Sequence, residues 1–232
     1  MLERQLHKSF MSDEIVLPEH LDKHLGSMLQ FREFMMRYNS ALREIRTKFE
    51  VLNDHLSVAY NRNPIEMIKS RVKTPASIME KLQRRNLEIS YSSIEENIHD
   101  VAGIRIICSF VNDIYEVAKM LASQDDVRLI AVKDYIKNPK ENGYRSYHMI
   151  VEIPVFFANN KMDIKVEVQL RTIAMDFWAS LEHKIRYKKN LKDSENIAKR
   201  LKECAELITD ADEKMQEINE MISSDANSDA NI

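Results

Sequence analysis

The chain has 232 residues, of which 44% are hydrophobic and 31% are charged, a composition typical of a folded globular protein. Its net charge of −3 excludes a general basic field for nucleic acid or a membrane surface, and its charged N-terminus and short apolar runs argue against a signal peptide or membrane span. Only three glycines are present, which excludes glycine-rich phosphate loops, so any phosphate must be held by side chains.

Two long helices are predicted near the ends of the chain, where apolar residues recur every seven positions. The first covers about residues 21–59 and the second about residues 197–222. The first repeat is Leu21, Met28, Met35, Leu42, Phe49 and Leu56, with Phe31, Tyr38, Ile45, Leu52 and Ala59 beside it. The second repeat is Leu201, Ile208, Met215 and Ile222. Such helices either cover the core of their own subunit or join subunits, and both alternatives stay open.

Strand and helix patterns alternate between the long helices and predict an α+β fold, a mixed sheet flanked by helices. Strands are expected over 65–73, 101–110, 127–133, 144–153 and 163–171, and helices over 75–85, 93–99, 113–123 and 173–185. Thr74 before Pro75 is a predicted N-cap, and Ser93 is another. The nearly all-apolar segment 101–110 is predicted to be buried on both faces.

The chain is expected to divide into an N-terminal helical extension (1–62), a central domain (63–190) and a C-terminal helix (191–222). Residues 223–232 are small, polar and acidic and predict a disordered tail. Cys108 and Cys204 lie far apart without ligand-like neighbours, which argues against a disulfide or a zinc site. They suit a reducing compartment, and we expect a cytoplasmic protein.

The last strand alternates strictly and then runs almost directly into a helix. One strand face consists of Ile164, Val166, Val168 and Leu170. The other face carries Asp163, Lys165, Glu167, Gln169 and Arg171. The four-residue repeat in the helix, which predicts a packed face, is Ile173, Phe177, Leu181 and Ile185. A polar strand face held by a packed helix would make a rigid floor for a charged ligand.

A cluster of bases precedes the central strands: Arg71, Lys73, Lys81, Arg84 and Arg85. The first two share a strand face, and Lys81 and Arg84 are neighbours on a helix surface. Such a cluster could hold a triphosphate through charge-assisted hydrogen bonds. The alternative is an ordinary solvated helix face.

Arg105 interrupts the apolar strand, and a buried guanidinium is costly unless it is paired. Asp100 is the candidate partner, although strand parity puts the two on opposite faces unless Gly103 marks a bulge. Alternatively, Arg105 faces a cleft and stacks on a base. Asp100 together with Glu167 could hold Mg²⁺, which prefers one or two carboxylates plus phosphate and water. The pair His99–Asp100 alone is a weak signal for a metal-dependent phosphohydrolase.

The polar segment 134–148 adds three candidate ligand contacts. Lys140 could bind phosphate. Tyr144 is either a core residue or a platform on which a base stacks. His148 could donate to phosphate or only satisfy a local carbonyl group.

Four segments resemble the small alarmone synthetases, the stand-alone relatives of RelA/SpoT synthetase domains. They are RVKTPASIMEKLQRR (71–85), DVAGIRI (100–106), DYIKNPKENGYRSYH (134–148) and EVQLRTIAMDFWASLEHKIRY (167–187), in the order of that family. The resemblance implies a nucleotidyltransferase-like fold. It also implies transfer of the β,γ-pyrophosphate of ATP to the 3′-hydroxyl of GDP or GTP, which yields AMP and ppGpp or pppGpp.

The resemblance implies a role for each matching residue. Asp100 and Glu167 would bind Mg²⁺, and Glu167 would take the proton of the 3′-hydroxyl. Arg71 and Arg105 would sandwich the adenine. The other ATP contacts would be Lys73, Ser77, Lys81 and Arg84. The GDP or GTP contacts would be Lys140, Tyr144 (stacked on guanine), His148, Gln169 and Asp176.

Asp176 departs from the family pattern, because several relatives carry asparagine there, and a carboxylate can only accept hydrogen bonds. The resemblance further implies a homotetramer formed through the terminal helices, and the net charge predicts no membrane or nucleic-acid partner. The chain is too short for the hydrolase and regulatory domains of the long relatives, so synthesis without degradation is expected. The alternatives are a non-catalytic, nucleotide-sensing oligomeric module on the same scaffold and a nucleotidyltransferase with another acceptor.

Overall fold

The computed structural model describes residues 19–60, 62–186 and 193–229. These residues form six helices and five strands: α1 Glu19–Tyr60, β1 Ile65–Val72, α2 Pro75–Arg84, α3 Tyr91–Asn97, β2 Ala102–Cys108, α4 Val111–Ala122, β3 Arg128–Asp134, β4 Tyr147–Phe156, β5 Lys161–Thr172, α5 Ile173–Arg186 and α6 Ser194–Asp229. None of the described helices combines the length and the apolar character needed to cross a membrane.

The chain divides into two compact units at position 36/37, within α1. In the first unit, residues 19–36 are helical, and Met28 and Leu29 are exposed. The second unit begins at Arg37 and contains the sheet and the other helices. Both seven-residue series of α1 contribute buried side chains to it: Tyr38, Leu42, Ile45, Phe49 and Leu56. The predicted extension over 1–62 therefore does not coincide with one unit, and residues 1–18 lie outside the described part.

The five strands form one mixed sheet in the order β1-β2-β5-β4-β3. The pair β2 and β5 is parallel, and the other neighbouring pairs are antiparallel. This architecture confirms the predicted α+β fold with a mixed sheet. In the parallel register Gly103 pairs with Glu167, so the residues that lead into β2 approach the polar face of β5.

Local sequence signals account for the elements around this face. The apolar face of β5 (Ile164, Val166, Val168 and Leu170) is buried, as its alternation predicts. At the start of α2 the backbone N–H of Ser77 donates to Thr74 Oγ1 at 3.3 Å, and Pro75 occupies the first turn. This N-cap fixes the helix whose last turn carries Lys81.

Two predicted element starts are wrong. Helix α3 begins at Tyr91 because Ser90, whose side chain accepts from the N–H of Ser93 at 3.2 Å, is its N-cap. Strand β4 begins at Tyr147, since Gly143 adopts a φ of 85° and the chain is still turning there.

Helix α6 continues through residues 223–229, where a disordered tail was predicted. Neither glycine nor proline interrupts this stretch, so nothing in it stops the helix. Residues 230–232 lie outside the described part, and so does the predicted domain boundary at 190/191.

The predicted packed face of α5 is also wrong. Its four members are exposed: Ile173 55%, Phe177 58%, Leu181 41% and Ile185 36%. Met175, Trp178 and Ala179 are buried instead, and Trp178 Nε1 donates to the carbonyl of Leu201 on α6 at 2.9 Å. The four-residue repeat therefore forms an apolar surface of the chain, here called the α5 stripe.

Gly143 joins the β3–β4 loop to α6. A Cβ atom at this position would lie 2.5 Å from Ala205 Cβ, and the positive φ disfavours any L side chain. Beside it, Arg145 contacts Asp212 of α6 at 3.7 Å, and Thr172 Oγ1 donates to the same carboxylate at 2.9 Å. The loop thus needs a residue without a side chain where it meets the helix.

Replacing Gly143 by alanine should therefore lower the free energy of unfolding by about 1–3 kcal/mol, through overpacking and backbone strain. Urea unfolding measures the change. Gly103→Ala is the matched control, because the nearest atom to its added methyl group would be the carbonyl oxygen of Arg71 at 3.9 Å. Equal stability of the Gly143 variant and the wild type would contradict the close packing of loop and helix.

Candidate active site

Two cavities open on the polar face of β5. The first, of about 340 Å³, lies against β3, β4 and the loop between them, and is here called the β4 cavity. The second, of about 280 Å³, lies against β1 and β2, and is called the β1 cavity. Asp100 and Glu167 line both cavities. The two acids, distant in the chain, therefore stand where the two cavities meet.

Asp100 is held by two lysines from different elements. Lys73 Nζ, just after β1, lies 2.5 Å from Oδ2, and Lys81 Nζ, on α2, lies 2.7 Å from Oδ1. Burial alone would raise the pKa of Asp100, but the hydrogen bonds and charges of these lysines outweigh it and hold the pKa below its usual value. Asp100 is therefore an ionised group among bases, and the predicted pairing of Asp100 with Arg105 is wrong.

Glu167 accepts contacts at both carboxylate oxygens. Gln169 Nε2 donates to Oε2 at 2.8 Å, and His148 Nδ1 lies 3.5 Å from Oε1. Burial would raise the pKa of Glu167, but the hydrogen bonds from His148 and Gln169 outweigh it and hold the pKa below its ordinary value. The carboxylate is therefore ionised and able to accept a proton.

Arg105 lies in a cleft, which was one of the two predicted alternatives. Arg71 and Arg105 both line the β1 cavity, and the side chain of Arg105 is 30% exposed. Its Nη1 donates to Asp176 Oδ1 at 3.0 Å, which supplies the counter-charge. The face of β2 that carries Gly103 and Arg105 lines this cavity. The prediction that this strand is buried on both faces is therefore wrong.

Asp176 is surrounded by cations. Its Oδ1 accepts from Arg105 and Arg171, both at 3.0 Å, and its Oδ2 accepts from Lys69 at 3.3 Å. The residue is 8% exposed and lines neither cavity. The structure therefore does not bring it together with the other predicted acceptor contacts.

The remaining residues predicted to contact GDP or GTP do not all lie in one cavity. Lys140 and His148 line the β4 cavity. Gln169 lines the β1 cavity instead. Tyr144 lines neither, because it packs against the cluster of Trp178, Ala179 and Ala205 and its hydroxyl group is bonded to Arg171 and His148.

The predicted ATP contacts do not all lie in one cavity either. Arg71 and Arg105 line the β1 cavity, and Lys81 lines the β4 cavity at its junction with Asp100. Ser77 takes part in the cap of α2, where the hydroxyl of Thr74 donates to its Oγ at 2.9 Å. Arg84 is exposed at the end of α2.

Sequence reasoning did not assign as ligand contacts several of the residues that line these cavities. Tyr135 lines the β4 cavity, and Lys140 Nζ lies 4.7 Å from its ring centroid, so this cavity has an aromatic wall. His99 lines the same cavity, and Lys69 lines the β1 cavity. Strand parity could have found Lys69, which shares a face with Arg71.

The donor set at the junction fits Mg²⁺. Two carboxylates, Asp100 and Glu167, reach the same two cavities, and this ion commonly binds one or two carboxylates together with phosphate and water. Within the described residues no group of three or more His, Cys, Asp or Glu side chains is placed to hold a metal. An ion here would therefore depend on oxygen atoms of a bound substrate.

Comparison with known proteins agrees with this geometry. Residues 70–192 match the family described as the region found in RelA / SpoT proteins. GTP pyrophosphokinase YwaC of Bacillus subtilis is 47% identical, over 84% of this chain and 93% of its own. GTP pyrophosphokinase YjbM of the same organism is 36% identical, over 82% and 88%.

Solved structures agree as well. Small alarmone synthetase 2 from Bacillus subtilis superposes with a TM-score of 0.74 at 45% identity, over 82% of this chain and 98% of its own. Small alarmone synthetase 1 from Bacillus subtilis, bound to its product pppGpp, gives a TM-score of 0.76 at 37% identity, over 83% and 98%. With the family match, these likenesses show that the chain belongs to the RelA/SpoT family and, within it, to the small alarmone synthetases.

Proposed function

We propose that the protein transfers the β,γ-pyrophosphate of ATP to the 3′-hydroxyl of GDP or GTP and so makes ppGpp or pppGpp. One observation carries this proposal: two cavities share a wall made of two acids, Asp100 and Glu167. A group transfer between two nucleotides needs such an arrangement, with a donor and an acceptor on either side of a charged junction. The GTP pyrophosphokinase relatives support it.

The β1 cavity is the proposed donor site. Arg71 and Arg105 line it, and a planar guanidinium stacks well on adenine. From there the phosphates of ATP reach Lys73 and Lys81, which converge on Asp100. These lysines neutralise phosphate charge in place of a glycine-rich loop.

The β4 cavity is the proposed acceptor site. Lys140 and His148 offer hydrogen-bond donors to the phosphates of GDP or GTP, and Tyr135 offers a ring for the base. Glu167 takes the proton of the 3′-hydroxyl group while the 3′-oxygen forms a bond to the β-phosphorus of ATP. The bond between this phosphorus and the oxygen that bridges the α- and β-phosphates breaks, and AMP leaves with that oxygen.

Asp100 and Glu167 are the residues that would hold Mg²⁺ beside the phosphates. When bound there, the ion neutralises charge that develops on the transferred group. The chain's own bases, Lys73 and Lys81, act at the same place.

The proposal is tested by incubating the protein with ATP and either GDP or GTP over a range of Mg²⁺ concentrations. AMP and a guanosine tetra- or pentaphosphate are expected in equal amounts. Pyrophosphate release without AMP would indicate a nucleotidyltransferase with another acceptor. Nucleotide binding without any product, from protein with a cooperative unfolding transition, would indicate a non-catalytic sensor.

We also propose that the protein forms a homotetramer through its terminal helices and acts in the cytoplasm, where its free Cys108 and Cys204 stay reduced. Helix α6 exposes Met215 58%, Ile218 51%, Met221 66% and Ile222 65%. The α5 stripe is a second exposed apolar surface, on the helix that packs on α6 through Trp178. Surfaces of this kind mark protein–protein contacts.

Replacing Phe177 in the α5 stripe by aspartate should therefore shift the assembly toward smaller species, because a buried unpaired charge disfavours association. Light scattering after size-exclusion chromatography measures the mass. Lys184→Asp, at an exposed position of the same helix, is the control and should keep the wild-type mass. A wild-type protein that is monomeric at micromolar concentration would overturn the assembly proposal.

A further inference from the structure

Five side chains form a closed ring of contacts beside the junction of the two cavities. Arg171 Nη2 lies 2.7 Å from the hydroxyl of Tyr144, which lies 2.8 Å from His148 Nε2. His148 Nδ1 lies 3.5 Å from Glu167 Oε1. On the other side, Arg171 Nη2 lies 3.2 Å from Gln169 Oε1, and Gln169 Nε2 lies 2.8 Å from Glu167 Oε2. Two arms therefore connect one guanidinium to both oxygens of one carboxylate.

The chemistry of the two ends favours one direction for the hydrogen bonds between them. A guanidinium can only donate, and an ionised carboxylate can only accept. Tyr144 accepts from Arg171, which leaves its own O–H available to donate to His148 Nε2. A neutral imidazole that accepts at Nε2 carries its hydrogen on Nδ1, which faces Glu167. In the other arm, the amide oxygen of Gln169 accepts from Arg171, so its NH₂ group faces Glu167.

We propose that Arg171 is a positioning residue: it fixes the tautomer of His148 and the amide orientation of Gln169, so that both oxygens of Glu167 receive a hydrogen bond. Arg171 touches neither cavity and acts only through these neighbours. The hydrogen-bond directions stand on geometry alone. Their effect on the rate rests on the proposed function, in which Glu167 accepts the proton of the 3′-hydroxyl.

The surroundings of Arg171 suit this role. The residue is 4% exposed, and its Nη1 donates to Asp176 Oδ1 at 3.0 Å, which supplies the counter-charge that a buried guanidinium needs. The same carboxylate oxygen accepts from Arg105 of the β1 cavity. Asp176 therefore links the ring to the donor side of the site, and this accounts for a buried carboxylate among three cations.

Lysine could not replace Arg171 in this position. The planar guanidinium presents separate nitrogen atoms to Asp176, Tyr144 and Gln169 at fixed angles, whereas an ammonium group is a single point. A lysine would keep the positive charge beside Asp176, but it would lose the hydrogen bond to Tyr144, to Gln169 or to both. Arg171→Lys and Arg171→Met should therefore have similar effects on Glu167.

The direct test is the nitrogen NMR spectrum of protein with ¹⁵N-labelled histidine, recorded without metal or nucleotide at about pH 8.5. The signal of His148 is identified by its loss in His148→Gln. In the wild type we expect a protonated Nδ1 and an unprotonated Nε2. In Arg171→Met we expect a mixture of tautomers or the Nε2-protonated form.

Arg145→Met is the matched control. Arg145 is also a buried arginine, at 8% exposure, and pairs with Asp212 of α6, but it has no hydrogen bond to any member of the ring. This variant should lose stability and keep the wild-type spectrum of His148. Tyr144→Phe removes only the hydroxyl group between Arg171 and His148, so it tests the same arm even where Arg171→Met does not fold.

The kinetic test separates positioning from folding. In Arg171→Met we expect kcat to fall about 10²-fold, with the KM values of ATP and GDP changed little, since a misplaced base slows chemistry rather than binding. A wild-type His148 protonated at Nε2, or an unchanged spectrum in both Arg171→Met and Tyr144→Phe, would overturn the proposal. A changed tautomer with unchanged kcat would overturn the role of Arg171 in the reaction. Absence of transfer in the wild type would instead refute the proposed function and leave the spectroscopic result intact.

Discussion

Replacing Glu167 by glutamine should reduce the rate of pyrophosphate transfer by about 10²–10⁴-fold, the range expected for loss of a general base. Glutamine has nearly the same shape, but its amide group cannot take the proton of the 3′-hydroxyl. The affinities for ATP and for GDP should change little, because Arg71, Arg105, Lys140 and His148 remain in place. Formation of AMP measures the rate, and isothermal titration calorimetry measures the binding.

Asp163→Asn is the matched control for this variant. Asp163 lies on the same strand, β5, and its side chain is 53% exposed and contacts Lys161. The substitution removes the same charge at a place remote from the cavities, and the rate should stay within about twofold of the wild type. Full activity of Glu167→Gln would show that another group takes the proton.

Replacing Asp100 by asparagine should reduce the rate by about 10²–10³-fold, a loss typical of a group that stabilises charge in the transition state. Lys73 and Lys81 both lose their ionic partner, and the proposed Mg²⁺ site loses one of its two carboxylates. The Mg²⁺ concentration needed for half-maximal rate should rise at the same time. Initial rates over a magnesium titration measure both effects.

Glu88→Gln is the control for charge loss, because Glu88 is exposed in the turn after α2 and lines neither cavity. It should leave the magnesium dependence unchanged. An Asp100→Asn variant with a wild-type rate and a wild-type magnesium curve would place the metal elsewhere and would contradict the proposed junction.

Periodicity predicted the parts of the fold that local chemistry determines. The alternation of β5 fixed which face is buried, and Thr74 with Pro75 marked the start of α2. The same reasoning failed for α5, because a repeat of apolar residues identifies a helix face but not what covers it. Phe177 and its neighbours on the α5 stripe are exposed on the single chain, while Trp178 faces α6.

The sequence predicted many residues of the candidate site, but it did not predict which acidic side chain contacts which basic side chain. Asp100 was one candidate partner of Arg105, because it stands just before the strand that carries Arg105. In the structure Arg105 contacts Asp176, 71 positions away, and Asp100 contacts Lys73 and Lys81. Charge and residue type do not reveal which acid meets which base, since that choice is made by the sheet register.

The two tyrosines of the segment 134–148 show the same limit. Both precede strand β4, and the sequence gives no reason to prefer Tyr135 over Tyr144 as the wall of a cavity. Gly143 packs the loop against α6, Tyr144 contacts the buried Arg171, and Tyr135 lines the β4 cavity, while Lys140 Nζ lies at a similar distance from both rings. A contact between distant parts of the chain thus decides which ring a ligand can meet.

The parallel pairing of β2 with β5 has a consequence for how this site can diversify. Strands β2 and β5 are neighbours in the sheet, but α4, β3 and β4 lie between them in the chain. This intervening chain leaves the sheet after β2 and returns through β4, which pairs with the other edge of β5. Lys140 and His148 lie in this intervening chain, whereas Asp100 lies in the turn before β2 and Glu167 lies on β5. Insertions or exchanges in the β3–β4 loop around Lys140 can therefore change which nucleotide is modified, while His148 on β4 keeps its contact with Glu167.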